Sequence, residues 1–104
     1  MYTIAHLPVR SLDIEVTNRF ALPGNWMRPG IYQLWVGDQS YIGKARDVRK
    51  RLHTETGHKW ANFDRCRVLS LFDDSISDRD LNNAEAYWIK LLRPELNVVP
   101  VIFH

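Results

Sequence analysis

Residues 30–43 read GIYQLWVGDQSYIG, in which the triplets Gly30-Ile31-Tyr32 and Tyr41-Ile42-Gly43 stand on either side of an eight-residue stretch containing Gly37-Asp38. Strand-forming residues on both sides of the Gly-Asp pair predict two antiparallel strands, Gly30 to Val36 and Gln39 to Gly43, closed by a short turn. Such a hairpin sets Tyr32 and Tyr41 close together. Cross-strand packing, with the hydroxyls bonded at the sheet rim, is the structural use of such a pair.

Working outward from the hairpin, a helix is expected from about Ala45 to Thr56, ended by Gly57. Its apolar stripe is Ala45, Val48 and Leu52, with Arg51 beside it and emerging near the sheet. Residues 65–72, RCRVLSLF, alternate polar and apolar and read as a third strand in which Cys66 is a small packing residue. A second helix then runs to about Leu92, capped by Asp78 or Asp80 and stopped before Pro94. Upstream, Leu12, Ile14 and Val16 alternate with Asp13, Glu15 and Thr17, which favours a half-exposed strand, although Val9, Leu12, Val16 and Phe20 also fit one helical face. Two Pro-Gly pairs, Pro23-Gly24 and Pro29-Gly30, mark a loop into the hairpin.

The chain has 104 residues, 45% of them hydrophobic, which suits one compact domain with one core and leaves no room for a second. The expected division is an N-terminal extension over 1–29 and the hairpin-bearing domain over 30–104. No run approaches the roughly 18 apolar residues of a membrane span and no secretory signal is apparent, so a soluble, cytoplasmic protein is expected. The net charge of +2 conceals an asymmetry. Residues 44–59 carry Lys44, Arg46, Arg49, Lys50, Arg51 and Lys59 against Asp47 and Glu55, whereas residues 73–80 carry Asp73, Asp74, Asp78 and Asp80 against Arg79. A basic helix facing an acidic loop points to an oriented polyanion partner; an ordinary solvated helix face is the bland alternative.

On the second helix, Leu81, Ala84, Trp88, Leu91 and Leu92 make the expected apolar face, and Glu85 falls between Leu81 and Trp88, inside it. Acidic side chains are seldom buried unless paired with a cation or bound to a metal, because desolvating the charge costs about several kcal/mol. Glu85 therefore needs a positive partner. An ion pair with Arg51 or Lys44 is the structural possibility, and a divalent metal is the functional one.

The two triplets, Lys44 directly after the second, Arg51 on the first helix, Glu85 on the second and Asn97 in the segment RPELN resemble the GIY-YIG nuclease superfamily, and most of all its UvrC-type catalytic domain. The resemblance spans about residues 28–100. It implies a small α+β domain, a three-stranded mixed sheet flanked by helices, that hydrolyses phosphodiester bonds of DNA, with RNA left open, using one Mg²⁺ or Mn²⁺. In that reading Glu85 holds the metal and Arg51 a non-bridging phosphate oxygen. Tyr32 or Tyr41 takes the proton from water, with Tyr32 favoured, and Lys44 and the metal are the candidates for the positive charge that a tyrosine base needs. Gly43 leaves room for the phosphate or for a bend in the strand, Gly30 is structural, and Asn97 supports the helix that carries Glu85. Arg46, Arg49, Lys50, His53, His58 and Lys59 are the expected nucleic-acid contacts.

The chain departs from the family where a histidine or tyrosine usually stands four residues after the arginine, since Glu55 occupies that place and can pair with Arg51. His53 or His58 could replace the missing group only if the loop folds back. The alternative is a nuclease-derived module that binds nucleic acid, or inhibits a protein partner, without cutting. A structural interaction domain using exposed Trp26, Trp35 or Trp60 as anchors is a third reading. Specificity is expected from a homodimer, a partner protein or nucleic-acid structure, with the N-terminal 29 residues as the surface for it.

Overall fold

The computed structural model describes residues 22–53 and 63–97, together with the backbone of residues 15–16. The expected α+β domain is found. Three long strands, β2 (Gly30–Val36), β3 (Gln39–Ala45) and β4 (Arg65–Leu71), are flanked by helices α1 (Val48–His53) and α2 (Asp78–Leu92). A two-residue strand β1 (Glu15–Val16) adds to β4, giving the order β1-β4-β2-β3. It lies within the expected upstream strand, the rest of which falls outside the described residues.

The sheet is antiparallel throughout rather than mixed. β3 and β4 do run the same way across the α1 connection, but β2 lies between them, so each bonded pair is antiparallel. The hairpin turns through Gly37, whose φ of 63° is followed by an Asp38 without positive φ. This is the type II′ pattern, with glycine first, and it matches the twist of the strands. The Gly37 N–H is held by the Asp64 carboxylate at 2.6 Å.

The pleat divides the core in two. Tyr32, Leu34, Ala45, Cys66 and Val68 face one side and pack with Leu22, Trp26, Val48 and Leu52, so α1 covers that face. Ile31, Ile42, Leu69 and Phe72 face the other and pack with Leu81 and Ala84 of α2. A bulge in β4 opposite Ile31 and Tyr32 breaks the alternation. It accompanies the presence of both Leu69 and Ser70 on the α2 side, where the Trp88 Nε1–H donates to Ser70 Oγ at 2.9 Å.

Helix α1 begins at Val48 rather than Ala45, because β3 runs on through Ala45 and Asp47 caps the helix, its Oδ1 accepting from the Lys50 N–H at 2.9 Å. Thr56 and Gly57, the expected helix end, lie outside the described residues. For α2 the cap is Ser77 rather than Asp78 or Asp80, with the Ser77 hydroxyl accepting from the Asp80 N–H. Its end is as expected, in a left-handed Arg93 before Pro94. The buried face is narrower than the expected one. Leu91 is 57% exposed and Leu92 is exposed as well, while Ile89 packs in their place. Trp26 is buried at 1% exposure and Trp35 is half-buried beneath the Arg65 guanidinium, 4.0 Å from its ring, so neither is a free anchor. Trp60 lies outside the described residues.

Candidate active site

β3 is an edge strand, and the candidate site wraps around that edge. Tyr32 stands opposite Gly43 in the hairpin register. A Cβ at Gly43 would come within 2.6 Å of the Tyr32 Cζ and 3.0 Å of the Tyr41 Cε2, so only glycine lets the Tyr32 ring lie across the edge strand with Tyr41 beside it. The Tyr32 ring, otherwise 1% exposed, thereby reaches the rim. Arg51 arrives there from α1 on one face of the sheet, and Glu85 from α2 on the other. Tyr32, Tyr41, Lys44, Arg51 and Glu85 line one pocket of about 400 Å³, together with Arg46, Asp78 and Asn82.

The electrostatics show that these groups share one field. Burial lifts the Tyr32 phenol far above its ordinary value, Tyr41 and the Glu85 charge add to the rise, and the Arg51 guanidinium opposes it through its charge and a hydrogen bond to the phenol. Burial also raises Tyr41, with Glu85 adding and Arg51 opposing. Glu85 is itself raised, first by desolvation, with the Lys44 ammonium pulling it back. Glu85 is half-buried on the flank of the apolar face rather than inside the core. Among the described residues no cation stands within ion-pair distance of it. Nor do the described residues hold any cluster of three His, Cys, Asp or Glu side chains suited to a metal; the carboxylates that line the pocket are Glu85 and Asp78.

The other expected residues separate into groups. Arg46 is tied into the acidic loop, donating to the Ile76 and Asp74 carbonyls at 2.8 and 2.9 Å and pairing with Asp78 at 3.2 Å. Arg46, which stands between β3 and α1, thus meets the acidic loop within the protein. Arg49, Lys50 and His53 line a second hollow of about 340 Å³ with Met27 and Asp47, and Arg49 donates to the Leu22 carbonyl. Glu55, His58 and Lys59 lie outside the described residues. Gly30 opens β2 beside Val48 of α1. Asn97 does not touch α2 through its amide. Its Oδ1 accepts from the Ile42 N–H at 2.7 Å and its Nδ2 donates to the Ile42 carbonyl at 2.8 Å, so it clamps the edge of the strand that carries Tyr41. Two participants escape the sequence reading. Asn82 stands three residues before Glu85, a helical spacing that could have found it; Glu95, which accepts from the Ser40 N–H at 3.0 Å, has no local signal.

No family model matches the chain, and no solved structure matches it. It is similar to UvrABC system protein C of Hyphomonas neptunium, 30% identical over 98 residues. That likeness covers 88% of this chain and 16% of the relative, so the chain spans about a sixth of that protein's length. Among the described residues no helix is long and apolar enough to cross a membrane.

Proposed function

We propose that the chain is an endonuclease that hydrolyses phosphodiester bonds of DNA with one divalent metal ion, Mg²⁺ or Mn²⁺, held by Glu85. The observation that carries this reading is the convergence of Tyr32, Tyr41, Lys44, Arg51 and Glu85, spread over four elements, on one pocket. The likeness to UvrABC system protein C and the resemblance of the two triplets to the GIY-YIG superfamily support it.

The donor set fits the metal. Mg²⁺ favours hard oxygen, keeps several waters and is commonly held by one or two carboxylates plus substrate phosphate, and Glu85 is a single half-buried carboxylate without a cation at ion-pair distance among the described residues. Bound there, the ion supplies Lewis-acid polarisation of a phosphoryl oxygen and relief of charge on the leaving 3′ oxygen. The chain's own residues do the rest. Arg51, a planar fork of donors, holds a non-bridging oxygen while charge develops on it. Tyr32 is the favoured acceptor of the attacking water's proton. Burial raises its phenol far above the ordinary value and Arg51 only partly opposes that rise, through charge and a hydrogen bond, so the step requires further positive charge, which the bound metal would supply. Lys44 adds positive charge beside Glu85. Lys50 and His53, exposed on α1, carry the flanking backbone.

The test is incubation of the protein with supercoiled plasmid in Mg²⁺ or Mn²⁺, beside Glu85→Ala and a chelator control. Nicking or linearisation by the unmutated protein with metal alone supports the reading. A gel shift with no cutting in either metal replaces it with a nucleic-acid-binding module.

A further inference from the structure

Among the described residues the outer edge of β3 is sealed along part of its length and open at the pocket. The Asn97 side chain takes both the N–H and the carbonyl of Ile42, so the Gln33–Ile42 pair is one whose backbone groups on β3 point outward. The register from Gly30–Ala45 to Val36–Gln39 is unbroken, and the period of two then turns the backbone of Ser40 and of Lys44 to the same edge. Ser40 follows the rule, its N–H donating outward to Glu95. Two of three outward positions are therefore covered by side chains 55 residues further on. The third, Lys44, has no hydrogen-bond partner for its N–H among the described residues, and it lines the pocket with Arg51 and Glu85.

We infer that the backbone N–H of Lys44 is an anion-binding donor of this pocket, taking a non-bridging oxygen of a phosphodiester. The inference rests on the phosphodiester reading of the site. An outward edge N–H is fixed by the sheet and costs no reorganisation when a ligand arrives, as in other backbone anion sites. The Lys44 side chain leaves the same residue on the α2 face, in register with Ile31, where its charge meets Glu85. One residue thus contributes two donors of different kinds. Sealing the other two outward positions leaves the edge open to a ligand at the pocket and closed to pairing with another strand elsewhere.

The test is NMR titration of the ¹⁵N-labelled full chain with a short DNA duplex, with Ca²⁺ replacing Mg²⁺ to slow turnover, alongside duplex affinities of Lys44→Met and Lys44→Pro. Both variants lose the ammonium, but only proline loses the N–H, and an outward edge position gives up no ladder bond to proline. A downfield shift of the Lys44 amide proton, and binding by Lys44→Pro at least tenfold weaker than by Lys44→Met, support the inference. Movement of the Arg51 and Glu85 signals while the Lys44 amide stays still overturns it and leaves the pocket reading standing. Equal affinity of the two variants also overturns it. If neither Arg51 nor Glu85 responds, the phosphodiester reading falls and takes the inference with it. Should Lys44→Pro fail to fold, the titration of the unmutated chain decides alone.

Discussion

At the turn end of the β2–β3 hairpin, the Arg67 Nε–H donates to Gln33 Oε1 at 3.0 Å, Gln33 Nε2 donates to Ser40 Oγ at 3.1 Å, and the Ser40 N–H donates to Glu95. Gln33 and Ser40 are buried, and the chain of bonds satisfies them. At the open end of the same two strands, Tyr32, Tyr41 and Glu85 are all raised by burial, and Glu85 faces two phenols whose charged forms it disfavours. The same hairpin therefore carries one end organised for stability and another where groups are held away from their preferred ionisation. Ionisable groups raised together by burial and gathered in one cleft are what a functional site shows.

The largest expected effect of breaking the open end is on chemistry. Arg51→Ala should lower the rate of plasmid nicking by on the order of 10²-fold or more, and Arg51→Lys should restore only part of it, since a point charge lacks the planar fork. Nicking by Arg51→Ala at the unmutated rate would remove the guanidinium from the mechanism. At the sealed edge the expected effect is on stability. Asn97→Ala strips two backbone partners from Ile42 and should cost about 1–3 kcal/mol in urea unfolding. An unchanged midpoint would mean that water replaces the clamp.

Smaller again are the effects read through pH. A phenol whose folded pKa is raised contributes stability that is present below the unfolded value near 10 and is lost as pH rises above it. Tyr32→Phe should therefore flatten the fall of Tm in strongly alkaline buffer, and in the unmutated protein the nicking rate should rise with pH as the base loses its proton. A rate that falls between neutral and mildly alkaline pH would argue against a tyrosine base. The smallest change is expected for Glu95→Gln, which keeps an acceptor for the Ser40 N–H. The Ser40 N–H holds the Glu95 carboxyl below its usual value, so its contribution is present above the ordinary carboxylate range and lost as pH falls through the lowered value. Melting curves of Glu95→Gln should match the unmutated chain in neutral buffer and lose a little of its acid sensitivity.

The sequence disclosed the parts of the molecule that rest on local pattern. Gly37-Asp38 between strand formers placed the hairpin, alternation in RCRVLSL placed β4, and the helical wheel turned Glu85 toward the sheet, although inside the apolar face rather than on its flank where it stands. What it concealed depends on bonds between distant residues. Asp47 looked like one acid among bases until Ala45 proved to belong to the strand, leaving Asp47 to cap α1. Leu91 and Leu92 fit the wheel, but the helix meets the sheet through Ile89 and Trp88, and the expected face ran one turn too far. Arg46 read as a contact for nucleic acid, yet the loop carbonyls that engage it lie 28 and 30 residues away. Nothing in RPELN announces that Glu95 and Asn97 would close the edge of β3, because a side chain that imitates a neighbouring strand has no period of its own.

The most direct test of this contrast is Glu85→Gln, melted and assayed side by side with the unmutated chain. A carboxyl raised by burial favours the folded state below its unfolded pKa and opposes it above, so at neutral pH its charge weakens the fold. The neutral amide should raise Tm by a few degrees and abolish metal-dependent nicking. A lowered Tm with cutting retained would show that Glu85 serves the fold rather than the chemistry, and would contradict the account.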